Sequence, residues 1–260
     1  MLRRKMILWF LALLLLTGCS KPITEATDIP SDPEAVPVTS APTEAPTQVS
    51  TEPPHSELYI PGVSAEDVFL YFNEVCMNAE FINSGDPSYL QRWESPISYG
   101  IYGTPTPEDR TKIAEFAQWL NRIDGFPGMY EAGEGEYVNL RIHFTDQQGL
   151  LDLMGDQFQG TDGAVTFWYE ENRIFDATVC IRTDLSQNLR NSVILEEIYN
   201  GLGPIQDTDL RPDSIIYSAY SEPQSLTQID ELILKLLYHP SLSCGMDAAQ
   251  CEADIRTLYH

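Results

Sequence analysis

The chain has 260 residues, with 39 acidic side chains against 15 basic ones and a formal net charge of −24. A field this negative excludes nucleic-acid binding or attachment to an anionic membrane face through charge, and no basic patch offsets it. The 18 prolines crowd toward the N-terminal quarter, which leaves a remainder long enough for one domain with a sizeable core.

In chain order, Arg3, Arg4 and Lys5 form a positive start, and Met6 to Leu16 is a nearly unbroken apolar run. The run is shorter than the ~20 residues that span a bilayer, so it reads as a signal peptide and not as a membrane helix. It ends in Leu16-Thr17-Gly18-Cys19. This resembles the lipobox of bacterial lipoproteins, which implies removal of residues 1–18, lipidation of Cys19 and a cell-membrane anchor on the extracytoplasmic side. Residues 19–57 are rich in Pro, Thr, Glu, Ser and Ala. Such a segment buries too little surface to offset its ordering entropy and reads as an extended, disordered stalk.

Residues 58–260 read as a single α+β domain, a small twisted sheet packed with helices. Ser64 followed by Asp67 is a capping-box start for a helix reaching about Asn83, with Val68, Phe69, Phe72, Val75 and Cys76 on one side. Trp93 to Tyr102 alternates as a strand. Thr106-Pro107 opens a second helix, whose Ile113, Phe116, Ala117 and Leu120 recur at helical spacing. Gly125 to Gly135 reads as a loop, Tyr137 to Phe144 as a strand, and Gln148 to Met154 as a short helix. In that strand His143 points away from the apolar face, beside Arg141, which suits a solvent-facing or paired imidazole. Ala164–Tyr169 and Ile174–Ile181 form a hairpin around Glu170 to Arg173. Further helices span Asp184 to Leu202, stopping at Gly203-Pro204, then a segment capped by Thr227, and Asp247 to Leu258.

Besides Cys19, the chain carries Cys76, Cys180, Cys244 and Cys251. Outside the cell four cysteines allow three pairings, and Cys244 with Cys251 would close a short loop. Free buried thiols are the alternative. No CxxC spacing supports a zinc-thiolate site.

Three pieces carry the candidate chemistry: Glu196-Glu197-Ile198-Tyr199-Asn200-Gly201-Leu202-Gly203, then Ser214-Ile215-Ile216-Tyr217, then Leu226-Thr227-Gln228-Ile229-Asp230 leading to Leu237-Tyr238. Residues 196 and 200 stand one helical turn apart and can converge. The layout resembles the catalytic half of metzincin metalloproteases, which carry H-E-x-x-H-x-x-G-x-x-H, a turn and a last helix. By that resemblance Glu196, Asn200 and Gln206 stand where the three His ligands would be. Glu197 matches the general base, Gly203 the glycine that turns the chain, and Ile216 and Tyr217 the turn. The chain also resembles a family of uncharacterised bacterial lipoproteins catalogued as a domain of unknown function.

Neutral amides are poor zinc ligands, so no cofactor and no zinc are expected. A calcium-like ion on Glu196, Glu197 or Asp207 is the other metal to weigh, without EF-hand spacing to support it. The reading is therefore a membrane-anchored lipoprotein whose zincin-like domain binds a protein, peptide or cell-wall ligand through Glu196, Asn200, Gln206, Ile216 and Tyr217. The alternative is a hydrolase using Glu197 with a non-standard ligand set.

Overall fold

The computed structural model describes residues 58–77, 88–219 and 222–260. The signal peptide, lipid-attachment and stalk expectations fall on residues outside that range. Six strands form one mostly parallel sheet: β1 (Arg92–Trp93), β2 (Ile97–Gly103), β3 (Met129–Glu131), β4 (Leu140–Thr145), β5 (Gly163–Glu170) and β6 (Arg173–Arg182). Their order is β1-β6-β4-β2-β3, and β5 pairs antiparallel with β6. Six α-helices accompany them: α1 (Ala65–Phe72), α2 (Pro107–Leu120), α3 (Gln147–Met154), α4 (Gln187–Gly201), α5 (Gln228–Leu237) and α6 (Ala248–Leu258). Among the described residues no helix is long and apolar enough to cross a membrane.

The local signals act where they stand. Ser64, Thr106 and Thr227 each accept a hydrogen bond from the backbone three residues on, and each has its Asp three residues on returning the bond. Asp247 and Gln250 make the same box at the start of α6. The β5–β6 hairpin turns on Glu171 and Asn172, both at positive φ, the conformation that a two-residue hairpin turn requires.

Three expectations are corrected. Trp93 to Tyr102 is two strands, because Pro96 cannot donate to a ladder; β1 pairs with β6, while β2 starts at Ile97 between β3 and β4. Within the stretch read as a loop, Met129–Glu131 pairs with Ile97–Tyr99 as β3, a short edge strand without enough residues to show alternation. The first helix leaves α geometry at Asn73 and continues as a π-helical turn to Met77; its expected end at Asn83 lies outside the described residues.

Parallel register puts alternate residues of neighbouring strands on one face. Tyr99, Leu140 and Ala177 fall in line, as do Ile101, Ile142 and Val179. This face packs against α2 and α4, and the core holds Ile113, Phe116, Ile142, Phe144, Val179, Ile194 and Ile198. On the other face α3 covers only one end, over Ala164 and Cys180. The rest of that face carries Tyr102, Tyr130, Arg141, His143 and Asp176. His143 is half-buried there and stacks on Tyr102 with ring centroids 4.9 Å apart. Burial and the neighbouring Arg141 hold its imidazole below the ordinary histidine value.

All four described thiols are free, so the Cys244–Cys251 pairing is corrected as well. Helix α6 turns Cys251 into the core, fully buried, whereas Cys244 sits in the preceding loop with its thiol donating toward the Arg92 carbonyl at 3.6 Å.

Gly203 ends the α4 segment at φ 131°, and a Cβ there would lie 2.7 Å from the Gln91 carbonyl oxygen and 3.0 Å from Leu237 Cδ2. Strain at positive φ and overpacking each cost on the order of 1–3 kcal/mol. Gly203→Val is therefore expected to destabilise the domain by roughly 2–5 kcal/mol in urea unfolding, and an unchanged midpoint would refute this assignment of the turn.

Candidate functional site

The site is built on α4, which is held at both ends. Near its start Arg190 donates through Nε to the fully buried Asp109 at the head of α2 (2.9 Å). Its Nη1 donates to the Thr183 carbonyl at 3.0 Å and to the Leu185 carbonyl at 3.2 Å. Gln187 Nε2 donates to Asp109 at 2.7 Å, and Asn191 Nδ2 donates to Glu108 at 2.9 Å. Burial alone would raise the Asp109 pKa, but hydrogen bonds from Arg190, Gln187 and Thr106 outweigh it and leave the carboxylate below its ordinary value.

At the other end of α4, Trp93 Nε1 donates to the Gly201 carbonyl at 2.9 Å. The Tyr199 hydroxyl donates to the Asp230 carbonyl at 3.1 Å, and the Tyr238 hydroxyl donates to the Leu202 carbonyl at 2.7 Å. A helix gripped this way cannot shift to relieve whatever its remaining face meets.

That face carries Glu196, Glu197 and Asn200. From sequence, Glu197 and Asn200 belong to the side of α4 opposite its core stripe; in the fold that side is covered too. The start of β5 and the turn at Phe158 close over it. Gly163 lies so near that a Cβ would stand 2.5 Å from Val193 Cγ1 and 2.8 Å from Glu197 Cγ and Oε1. Glu197 is 8% exposed and Asn200 3%, while Glu196 is half-buried. Together with Phe158, Thr161, Gly163, Ala164, Val165 and Asp207 they line a narrow cleft whose interior volume is about 30 Å³. That holds one or two waters or a single ion.

The cleft is short of hydrogen-bond donors. None of its lining residues is Lys, Arg or His. Among the described residues neither Glu196 nor Glu197 has a hydrogen-bonded partner, and Asn200 Oδ1 is a buried acceptor without a donor. Asn200 Nδ2 donates only a long bond, 3.5 Å, to Asp207. Burial therefore pushes both glutamates well above the usual carboxylate range, with Asp207 and Asp162 adding to it for each, and Glu196 adding to it for Glu197. Burial, with Glu197 close by, likewise pushes the Cys180 thiol up to about 12.

Of the other residues expected at the site, Gln206 is half-buried outside the cleft lining, with Oε1 lacking a partner. Ile216 is fully buried, and Tyr217 is half-buried in a bridge with Thr208; neither lines the cleft. Sequence reasoning did not anticipate Phe158, Thr161, Gly163 and Asp162. They come from the α3–β5 connection and the first residue of β5, which carry no motif and lie against α4 only in the folded chain. Among the described residues no three His, Cys, Asp or Glu side chains form a metal-ligand cluster.

A family model described as "Protein of unknown function (DUF2927)" matches residues 65–257, and the chain belongs to this family. No curated protein matches the chain.

The raised carboxyls make stability depend on pH in a defined direction. Above pH ~4.3 the unfolded chain releases the glutamate protons while the folded chain keeps them, so stability falls as pH rises toward the folded-state value and is then level. Glu197→Gln has no proton to lose there. Its stability gain over the parent is expected to be small at pH 4 and larger at pH 7–8 in urea titrations. A gap independent of pH would show that burial does not hold the proton.

Proposed function

We propose that this DUF2927 member is a lipid-anchored extracytoplasmic binding protein whose domain keeps a metzincin-like frame without peptidase activity. The observation that carries this reading is the closure of the cleft over Glu197. A general base must reach the water or proton it acts on and share the site with substrate. Here the β5 backbone at Gly163 lies against the Glu197 side chain, and about 30 Å³ of interior remains. A peptide backbone does not fit in that space.

The frame reading rests on the order of parts: a strand and helix (β2, α2), the helix with Glu197, a buried turn at Ser214 to Tyr217, and the last helix α5. The turn is tied to α5 through Asp230, which accepts from Ser214 Oγ at 2.7 Å and from the Ile215 backbone at 3.1 Å. The residues present do not fit zinc. Glu196, Asn200 and Gln206 offer one carboxylate and two neutral amides where catalytic zinc takes three ligands, commonly His with a carboxylate, and Gln206 stands outside the cleft lining. No reaction step is assigned to a zinc ion in this chain.

A macromolecular ligand then needs another surface. The open sheet face offers one, with Tyr102 and Tyr130 exposed beside the Arg141–Asp176 ion pair and Tyr137 close to Arg141. Tyrosines next to charged forks give contact area with hydrogen-bonding capacity, a composition common in binding surfaces.

Lipidation at Cys19 gives the anchor. Cys19→Ala is expected to move the protein out of the membrane fraction or leave its precursor unprocessed; normal retention would sink the anchor. The purified chain supplied with zinc is expected to hydrolyse peptide substrates no faster than Glu197→Ala does. Zinc-dependent turnover lost in that variant would instead support the hydrolase reading.

A further inference from the structure

Buried polar atoms in folded proteins find partners, and an uncompensated buried carboxylate is costly. The cleft beneath β5 departs from both rules at one point. It gathers the carboxyl groups of Glu196 and Glu197 and the Asn200 amide oxygen, all of them acceptors once the carboxyls ionise. The atom that decides the matter is Asn200 Oδ1: its side chain is 97% buried by the 3% exposure, it lines the cleft, and it has no donor. One basic side chain among the lining residues would satisfy these acceptors, and none is present.

Arg182, which donates to the carbonyl of the lining residue Thr161, is already engaged by Asp162 at 3.2 Å and by Asp184 at 2.7 Å. A water would donate at most two hydrogen bonds to this set of acceptors. A cation serves all three oxygens at once and neutralises the pair.

We propose that the cleft is a calcium site, in which Glu196, Glu197 and Asn200 Oδ1 ligate the ion and water completes its shell. The donor chemistry selects the ion class. Every donor is oxygen, which suits hard cations and disfavours zinc or copper. Two carboxylates on consecutive residues and an amide one turn on do not define an octahedron. Ca²⁺ accepts irregular coordination by 6–8 oxygens, whereas Mg²⁺ demands near-ideal octahedral geometry. The interior of about 30 Å³ suits an ion with one or two waters. Asp207, which also lines the cleft, adds negative field from the far wall. The set consists of two carboxylates and one amide, so it needs no third ionisable ligand.

In structural terms the ion would stand between α4 and the first residues of β5. It would stabilise the folded chain by mass action, because the unfolded chain holds no such site.

The test uses the full chain, stripped with chelator and dialysed. Addition of 5 mM Ca²⁺ at pH 6 is expected to raise Tm by about 5 °C. Glu197→Gln and Asn200→Ala are expected to weaken Ca²⁺ binding at least ~10-fold, a loss of about 1.4 kcal/mol or more. Glu170→Gln, at the exposed end of β5, should leave it unchanged. Because Glu197→Gln removes the carboxyl without removing volume, loss of the response in a folded variant is readable. No Tm shift and no heat, a shift that survives in both site variants, or an equal or larger shift with Mg²⁺ would each overturn the calcium site. None of these outcomes depends on whether the chain has a macromolecular partner or a lipid anchor.

Discussion

The Asp230 carboxylate is the point on which the C-terminal half of the domain turns. It is fully buried and accepts from Ser214 Oγ, the Ile215 backbone, and the Thr227 backbone and hydroxyl, with the Tyr71 hydroxyl at 3.4 Å. One side chain thereby caps α5, fixes the turn that precedes it and fastens α1 to both. The backbone carbonyl of the same residue receives Tyr199 from α4. A buried charge is tolerated when several donors converge on it, because each charge-assisted bond offsets part of the desolvation. Asp109 follows the same rule at the other end of α4, served by Arg190, Gln187 and Thr106. Removing either carboxylate would leave several donors stranded together.

Glu196 and Glu197 lie on the helix between these two anchors and receive nothing comparable. The contrast inside one helix is informative. The molecule supplies buried carboxylates with donors where they hold the frame together, and leaves two without donors where α4 meets the edge of the sheet. A perturbed carboxyl pair in a cleft marks a candidate functional position. The rigidity that Asp109 and Asp230 impose on α4 explains how the site is kept there: the helix cannot rotate Glu197 and Asn200 out to water without breaking both anchors.

Rigidity and closure also separate this site from an open catalytic centre. Gly163 is necessary for that closure, since any side chain there would collide with Val193 and Glu197. The cleft is therefore matched to something the size of an ion or a water, and the exposed side of the sheet is the wider surface left open. There Arg141 and Asp176 pair among half-buried and exposed aromatic rings, and α3 leaves the surface uncovered.

The sequence by itself determined what short-range chemistry decides. Caps at Ser64, Thr106 and Thr227 placed three helix starts, the Glu171-Asn172 turn placed the hairpin, and Gly203 placed the end of the α4 segment. Each is a contact among residues a few positions apart, so composition and spacing suffice. It also brought Glu196, Glu197 and Asn200 to one helix, since helical periodicity alone makes them neighbours. Only the tertiary structure decided the strand order, the existence of β3, the inward turn of Cys251 away from Cys244, and the burial of the glutamates beneath Gly163. Those depend on pairing between segments tens of residues apart. A three-residue strand with no alternation of its own, or a glycine whose neighbour lies 34 positions away, leaves no local signal to read.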